Sequence, residues 1–219
     1  IENDTCPLCT KGQCTQMHML SSCPYSLYHH RYNWRHDSVL KNIELELVPH
    51  ILLHNSRPIA KEKKESIVTP IHKNFISQTE VHRQIYGRKK SVRIAKTSML
   101  NGANDWKVLI DYDNNPIVFP VDILATNARP DIVIYSRSKK VVFLIELTCP
   151  SEENFDDARL RKENRYVTRV DAITPTKTGW TAKLFTLEIG ARGFVSNFVK
   201  SWLRKFGFSS RAATVLCKD

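Results

Sequence analysis

Hydrophobic residues recur along the first part of this chain with the period of a helix. From residue 34 to residue 53 they are spaced three or four positions apart, as on the buried side of an amphipathic helix. Asp37 or Ser38 is suited to cap the start of this helix, and Pro49 should bend or end it. Residues 55–104 show no clear period and are polar and basic, which predicts a connector.

Short apolar runs replace the helical period in the second half of the chain. Their β-branched and aromatic residues, and the turn residues between them, are typical of strands. The predicted strands and apolar runs are 106–112, 117–124, 129–135, 141–148 and 181–191. Helices are predicted at 151–167, with Asn154 as N-cap, and at 196–208, where Gly207 ends the amphipathic pattern. This alternation predicts a mixed α/β domain.

The composition allows a packed core and gives the chain a strong positive charge. The 33 Lys and Arg residues oppose 22 Asp and Glu residues, a formal net charge of +11, and 42% of the residues are apolar. Such a charge favours a polyanionic partner, although a solvated basic surface is the alternative. No run of about 18 apolar residues is present, so no membrane-spanning helix is predicted. The chain lacks a signal-peptide pattern and begins without methionine, which leaves open whether it is a fragment.

Cysteines crowd the start of the chain, where a CxxC pair is followed by a His-x4-Cys pair. Three thiolates and one imidazole form the tetrahedral ligand set of a structural Zn²⁺ site. The predicted ligands are Cys6, Cys9, His18 and Cys23. Cys14 competes for a ligand place, and His29 and His30 are weaker competitors. The alternative is a group of reduced cysteines in a small core.

Two acids lie at the same end of neighbouring predicted strands. Asp131 follows Arg-Pro at the start of one strand, and Glu146 lies near the end of the next, with 14 residues between them. A hairpin would bring both carboxylates within reach of one hard divalent cation such as Mg²⁺. This is the arrangement of the PD-(D/E)xK nuclease core, except that Thr148 stands where that motif has lysine. The alternative is that both acids merely end strands in turns.

Five segments, taken in order, resemble one protein family. They are CPLC…HMLSSC, RHDSVLKNI, RPDIVIY, LIELTCPSEENFDDARLRKENRY and LEIGARGF, and the resemblance as a whole spans roughly Cys6 to Phe208. The chain resembles the C-terminal region of site-specific non-LTR retrotransposon polyproteins, downstream of their reverse transcriptase. In that family a CCHC zinc knuckle precedes a restriction-like endonuclease.

The resemblance implies catalytic roles for three residues. The family's basic-Pro-Asp motif falls on 129–131, and its second acid falls on Glu146, where the family often has Asp. Its catalytic lysine, displaced from the strand to the next helix, falls on Lys162, and its following aromatic residue falls on Tyr166. The implied cofactors are a structural Zn²⁺ and a catalytic Mg²⁺ or Mn²⁺ held by Asp131 and Glu146.

The resemblance also implies a function. Members of the family cleave genomic DNA at the insertion site, and the resulting 3′-hydroxyl primes reverse transcription. We therefore expect a metal-dependent DNA endonuclease in the nucleus. Its expected partners are DNA and element RNA but no membrane, and a reverse transcriptase is expected on the parent polyprotein. The alternatives are an inactive nucleic-acid-binding remnant of the same fold and a zinc-stabilised protein-interaction domain.

The expected fold is α/β, with a PD-(D/E)xK restriction-endonuclease-like core in which helices flank a mixed sheet. The expected divisions are a zinc knuckle at 1–30, a helix and basic connector at 31–105, and the endonuclease domain at 106–219. Within the connector a short helix is expected near 78–86. The phosphate-binding candidates in the connector are Arg88, Lys89, Lys90 and Arg93.

Several further residues are expected to occupy ordinary surface or buried positions without a functional role. Asp37 and Glu44 could add an acid to the metal site, but a solvated helix face explains them better. His36 could touch phosphate, but it is expected to be a surface histidine, and Arg159 is expected on the solvated rim of its helix. Cys149 is expected to be a buried thiol without a partner.

Overall fold

The computed structural model describes residues 4–57, 98–112 and 116–209. Its strands are β1 (Lys107–Ile110), β2 (Ile132–Ser136), β3 (Val141–Thr148) and β4 (Thr181–Glu188). Its α-helices are α1 (Pro24–Tyr28), α2 (Arg31–Asn55), α3 (Phe155–Ala172) and α4 (Asn197–Lys205). A π-helical turn at His18–Ser22 and a 3₁₀ turn at Glu152–Asn154 complete the described elements.

The four strands form one mixed sheet in the order β1-β2-β3-β4. β1 pairs with β2, and β2 with β3, in antiparallel register, whereas β3 and β4 are parallel. A parallel pair cannot be closed by a tight turn, and α3 supplies the crossover between β3 and β4. The predicted mixed α/β architecture, with helices flanking a mixed sheet, is confirmed.

β2 and β3 are buried on both faces because apolar elements cover both sides of the sheet. On one face, α2 and α4 enclose a core cluster that contains Ile134, Phe143 and Trp202. On the other face, Val133 and Leu144 belong to a second cluster, to which the C-terminal end of α3 contributes. Successive residues of one strand therefore enter different clusters, which explains why both strands read as continuous apolar runs.

The amphipathic helix predicted at 34–53 is present as α2, but its start differs from the prediction. His30 precedes the first helical residue and has a left-handed backbone with φ of 55°. Asp37 and Ser38 both lie inside the helix, so the prediction that one of them caps it is wrong. The Ser38 hydroxyl instead donates a hydrogen bond of 2.7 Å to the carbonyl oxygen of Trp34.

Pro49 lies inside α2 and does not end it. A proline there removes one backbone hydrogen bond, and burial of the helix face against the sheet compensates for that loss. The buried apolar residues of this face are Leu40, Leu47 and Ile51. At the end of α2, Asn55 exchanges hydrogen bonds of 2.8 and 3.1 Å with the backbone of Trp106, which places β1 beside the helix.

The later elements follow the sequence prediction closely. β3 has the predicted bounds 141–148, and Asn154 precedes α3 as predicted. The apolar run 117–124 forms no strand. Its Phe119 and Ile123 are instead buried in the second core cluster, and Pro120 lacks the N–H that a strand ladder needs.

Most of the predicted connector lies outside the described residues, which omit 58–97. The expected short helix near 78–86 and the four phosphate-binding candidates fall within that range, and the domain divisions stay predictions. Within the part of the chain that is described, no helix is both long and apolar enough to cross a membrane.

Candidate functional site

Asp131 and Glu146 lie side by side at one end of the β2–β3 pair. Ile132 is paired with Ile145, so the residues next to them face each other across the two strands. The Asp131 backbone N–H donates to Glu146 Oε1 at 3.3 Å, and the Leu147 N–H donates to Asp131 Oδ2 at 2.7 Å. These backbone contacts hold both carboxylates in one place.

Lys162 reaches the two carboxylates from α3. Its Nζ lies 2.7 Å from Glu146 Oε2 and 3.4 Å from Asp131 Oδ2. The helix is held by Ala158 and Tyr166, which are almost fully buried, and the Tyr166 hydroxyl donates to the Arg129 carbonyl oxygen at 3.1 Å. The structure thus brings the three predicted catalytic residues together, with the lysine supplied by the helix.

The two carboxylates have opposite pKa shifts. Burial raises the pKa of Glu146, and the neighbouring charge of Asp131 adds to this effect, although Lys162 opposes it. Burial would also raise the pKa of Asp131, but the hydrogen bond from His36 and the charge of Lys162 outweigh it and lower the pKa. Paired acids whose environments separate their pKa values are typical of catalytic sites.

His36 is a member of the site that the sequence analysis missed. Its Nε2 lies 3.4 Å from Asp131 Oδ2, and its Nδ1 lies 3.2 Å from Asp37 Oδ1. The expectation of a simple surface histidine is therefore wrong. Burial would lower the pKa of His36, but the hydrogen bond to Asp131 raises it overall. The helical period indicated that His36 faces the interior, because His36 precedes the buried Leu40 by four residues and shares its side of the helix.

A cleft of about 480 Å³ opens beside the carboxylates. Its walls include Tyr32 and Asn33 from α2, Tyr112 after β1, and Thr148 and Cys149 at the end of β3. Burial raises the pKa of the half-buried Cys149 thiol to about 12, so the thiol stays protonated and is a poor nucleophile at neutral pH. Asp131 and Lys162 lie at the wall of this cleft, and Glu146 is buried behind them.

The other acids near the cleft already have protein partners. The Glu44 carboxylate accepts a hydrogen bond from the Tyr112 hydroxyl, and Asp37 contacts His36. Neither residue therefore lies on a solvated helix face as expected. Asp111, which the sequence analysis did not single out, accepts two hydrogen bonds of 3.0 and 2.7 Å from the Arg129 guanidinium.

A buried ion pair fixes α3 against β4. Arg159 Nε lies 3.2 Å from Oε1 of the fully buried Glu188, whose Oε2 accepts a hydrogen bond of 2.7 Å from the Ser196 hydroxyl. Arg159 also lies over the ring of Phe198, 3.8 Å from its centroid. The expected solvated position of Arg159 is wrong, and the pair anchors the helix that carries Lys162 one turn later.

The predicted zinc ligands form a second cluster at the start of the chain. The ligand atoms of Cys6, Cys9, His18 and Cys23 all lie within 4.8 Å of one another. The Cys6 and Cys23 sulfurs are 4.0 Å apart, close to the roughly 3.8 Å that tetrahedral Zn–S geometry requires. The exposed Cys14 instead contacts the Met19 sulfur at 3.7 Å. This Cys₃His set could hold a zinc ion, and we call its four residues the zinc cluster for that reason.

Local structure explains how the four ligands converge. The Cys6 N–H donates to the Gly12 carbonyl oxygen at 2.7 Å and closes the turn that carries the CxxC pair. A Cβ on Gly12 would lie 2.6 Å from the His18 ring, so the imidazole can approach only a glycine. Burial would raise the pKa of Cys23, but hydrogen bonds from Ser26 outweigh it and lower the pKa to about 6, which favours a thiolate.

The zinc cluster is attached to the start of α2. The Cys23 N–H donates to the Tyr32 hydroxyl oxygen at 3.0 Å, and Arg35 donates to the Leu20 carbonyl oxygen at 2.9 Å. Because Tyr32 also lines the cleft, one side chain touches both candidate sites. The first turns of α2 therefore connect the zinc cluster to the carboxylate pair.

Comparison of the sequence with models of protein families and with curated proteins found no match. Function is therefore inferred from the chemistry of the two side-chain clusters and from the motifs in the sequence.

Proposed function

We propose that this chain is a metal-dependent DNA endonuclease of the non-LTR retrotransposon type, which nicks target DNA in the nucleus to prime reverse transcription. The observation that carries the proposal is the convergence of Asp131, Glu146 and Lys162 on one point, where Asp131 and Lys162 line an open cleft and Glu146 is buried behind them. Two carboxylates and one ammonium within hydrogen-bond distance are the groups that phosphodiester hydrolysis requires.

The order of elements supports the proposal. From α2 onwards the described elements run helix, three antiparallel strands, helix and a parallel strand, which is the order of a PD-(D/E)xK core. Asp131 immediately precedes the second strand, and Glu146 lies near the end of the third. Both positions match those of the acids in that core.

The donor set fits a hard divalent cation. Asp131 and Glu146 already share one positive charge, because the Lys162 ammonium contacts an oxygen of each. Carboxylate oxygens are the ligands that Mg²⁺ and Mn²⁺ prefer, so these two residues would hold the metal. A bound cation of this kind polarises the scissile phosphate and lowers the pKa of water.

The side chains around the carboxylates have defined tasks in this proposal. The Leu147 N–H and His36 orient Asp131, and the lowered pKa keeps it ionised at neutral pH. The Lys162 ammonium stabilises negative charge that develops on the phosphate oxygens. The positive charge of the whole chain attracts the DNA backbone to the cleft.

A plasmid-nicking assay tests the proposal. Supercoiled DNA with Mg²⁺ or Mn²⁺ should be nicked by the wild-type chain and left intact by Asp131→Asn, which has the same shape but no charge. Asp157→Asn is the matched control, because Asp157 is exposed on the first turn of α3. DNA retention without nicking by the wild-type chain would favour the inactive nucleic-acid-binding remnant instead. If the wild-type chain neither nicked nor retained DNA, both readings would be contradicted.

A further inference from the structure

The segment that joins the zinc cluster to α2 is basic and has no acidic residue. From Thr5 to His36 the sequence contains no Asp or Glu, although it contains three Lys and Arg residues and four histidines. Arg31 and Arg35 make no ion pair with a carboxylate in the described part of the chain; each guanidinium lies over a tyrosine ring instead. This surface therefore keeps its positive charge available to a ligand.

The same segment exposes large aromatic side chains. The exposed fractions are 79% for Tyr28, 75% for Trp34 and 38% for Tyr25. The other three tryptophans of the chain, all within the described residues, are at most 4% exposed. Exposed aromatic rings bury little apolar area, so folding stability does not explain Tyr28 and Trp34.

Ring contacts join the two tyrosines and Arg31, and helical spacing places Trp34 beside Arg31. His29 lies between two tyrosines, with its ring centroid 4.2 Å from that of Tyr25 and 5.1 Å from that of Tyr28. The Arg31 guanidinium lies 5.7 Å from the Tyr25 centroid, and Trp34 follows Arg31 by three residues on the same side of α2. We call Tyr25, Tyr28, Arg31 and Trp34 the aromatic–basic surface.

We propose that the aromatic–basic surface binds unpaired nucleotides of single-stranded DNA or RNA by stacking. Aromatic faces accept any unpaired base, and a cation beside them attracts the phosphates, whereas a base inside a duplex has no free face. A charged, acid-free surface of this kind is unsuited to an apolar protein partner. Tyr32, Asn33 and His36 of the same acid-free segment line the cleft from another side of α2. Stacking requires no cleavage, so this inference stands apart from the proposed nuclease activity.

Tryptophan fluorescence offers a direct test. Since Trp34 is the exposed tryptophan, bases that stack on it should quench the emission of the wild-type chain while the three buried tryptophans stay unchanged. The titration uses the zinc-loaded chain without added Mg²⁺, with oligo-dT, oligo-U and a DNA duplex of equal length. Quenching by either single strand, at a lower concentration than the duplex needs, is the expected result; comparison of dT with U identifies the preferred strand.

Variants separate stacking from electrostatics. By the anisotropy of a labelled oligonucleotide, Trp34→Ala and Tyr28→Ala should each weaken single-strand binding about ten-fold, with an unchanged salt slope because neither changes the charge. Arg31→Ala should lower the log–log salt slope by about 0.7. Trp34→Phe should keep the affinity and lose the fluorescence change. Phe194→Ala, at a 62% exposed aromatic on another part of the molecule, is the control and should bind like the wild type.

Three results would overturn the inference. They are an unchanged Kd in both alanine variants, an equal loss in Phe194→Ala, and quenching of Trp34 by the duplex at the same concentration as by the single strands. Quenching of Trp34 by anionic lipid vesicles but not by either oligonucleotide would overturn it as well and would assign the surface to a membrane. Because nicking is measured separately on the plasmid, failure of one proposal does not imply failure of the other.

Discussion

Lys162 shows how a charge can be supplied from a different element than the motif suggests. In a strand, residues 146 and 148 face the same side, so Thr148 occupies the place of the usual lysine and carries no charge. The helix α3 lies beside β3, and its Lys162 side chain extends to the carboxylates with Nζ 2.7 Å from Glu146 Oε2. The cation therefore reaches the same point in space from another part of the chain.

We predict that Lys162→Ala abolishes DNA nicking while the protein still folds and binds DNA. The variant removes the charge that would stabilise the phosphate. The fold survives because Glu146, whose pKa is already raised, can take up a proton and so avoid the cost of a buried charge without its lysine partner. Nicking and melting temperature are measured beside Arg161→Ala, which removes an exposed charge from the same helix. Full nicking by Lys162→Ala would remove the lysine from the catalytic set.

His36 is predicted to act by positioning Asp131. His36→Ala should slow nicking by about ten-fold or more, the usual loss when a partner of a metal-site ligand is removed, with little change in DNA affinity. His36→Gln keeps a hydrogen-bond donor for Asp131 and should recover part of the rate. Single-turnover nicking rates give the measurement, and a rate unaffected by His36→Ala would show that Asp131 needs no such support.

At the scale of elements, the zinc cluster is a local unit, because its four ligands lie within 18 residues of one another. We predict that chelation unfolds the first 30 residues and leaves the sheet and its helices folded, since metal binding supplies the folding free energy of such a cluster. Hydrogen exchange with and without chelator gives the measurement. Loss of protection in β2 and β3 would contradict the prediction.

Variants at the zinc cluster provide the matching control. Cys9→Ser should release zinc and reproduce the effect of chelation, because it removes a ligand. Cys14→Ser should retain zinc, since the Cys14 sulfur lies outside the cluster and contacts Met19. The reverse pattern would show that Cys14, rather than Cys9, is the ligand.

The packing of α2 on α4 makes folding sensitive to acid through His50. Burial is the main cause that lowers the pKa of His50 to about 4, although its hydrogen bond to the Phe206 carbonyl opposes this, and His54 and Arg57 add positive charge nearby. The unfolded chain takes up this proton near pH 6.5 and the folded chain only near pH 4. The free energy of unfolding should therefore fall by about 3 kcal/mol as the pH drops between these values.

Urea unfolding at several pH values measures this dependence. His50→Gln can still donate to the Phe206 carbonyl but does not titrate, so its free energy of unfolding should vary less between pH 6.5 and pH 4. Above pH 6.5, where the imidazole is neutral in both states, His50 contributes no slope. An equally steep loss in His50→Gln would assign the acid sensitivity to other groups.

At the scale of the whole molecule, the net charge of +11 predicts binding to DNA that weakens steeply as salt rises. Each neutralised phosphate contributes about 0.9 to the log–log slope on duplex DNA. Replacing residues 87–96, which include Arg88, Lys89, Lys90 and Arg93, by a neutral linker of equal length should flatten that slope. An unchanged slope would assign the phosphate contacts to other residues.

Much of the fold was predictable from the sequence because local periodicity determines it. The apolar run 141–148 forms β3 with the predicted bounds, and the helical period of 34–53 forms α2. The spacing of the cysteines and His18 predicted the four members of the zinc cluster. Ligands on short neighbouring turns can meet without a contact from a distant part of the chain. In each case the deciding contacts lie close together in the chain.

Tertiary structure alone decided the features that depend on which faces meet. His36 contacts Asp131, and Arg159 contacts the buried Glu188, only because α2 and α3 pack beside particular strands. The period of a helix shows which residues share a side, but not which strand end that side meets. Contacts between residues 29 or 95 positions apart depend on the packing of whole elements, and no local pattern encodes the distance between their atoms.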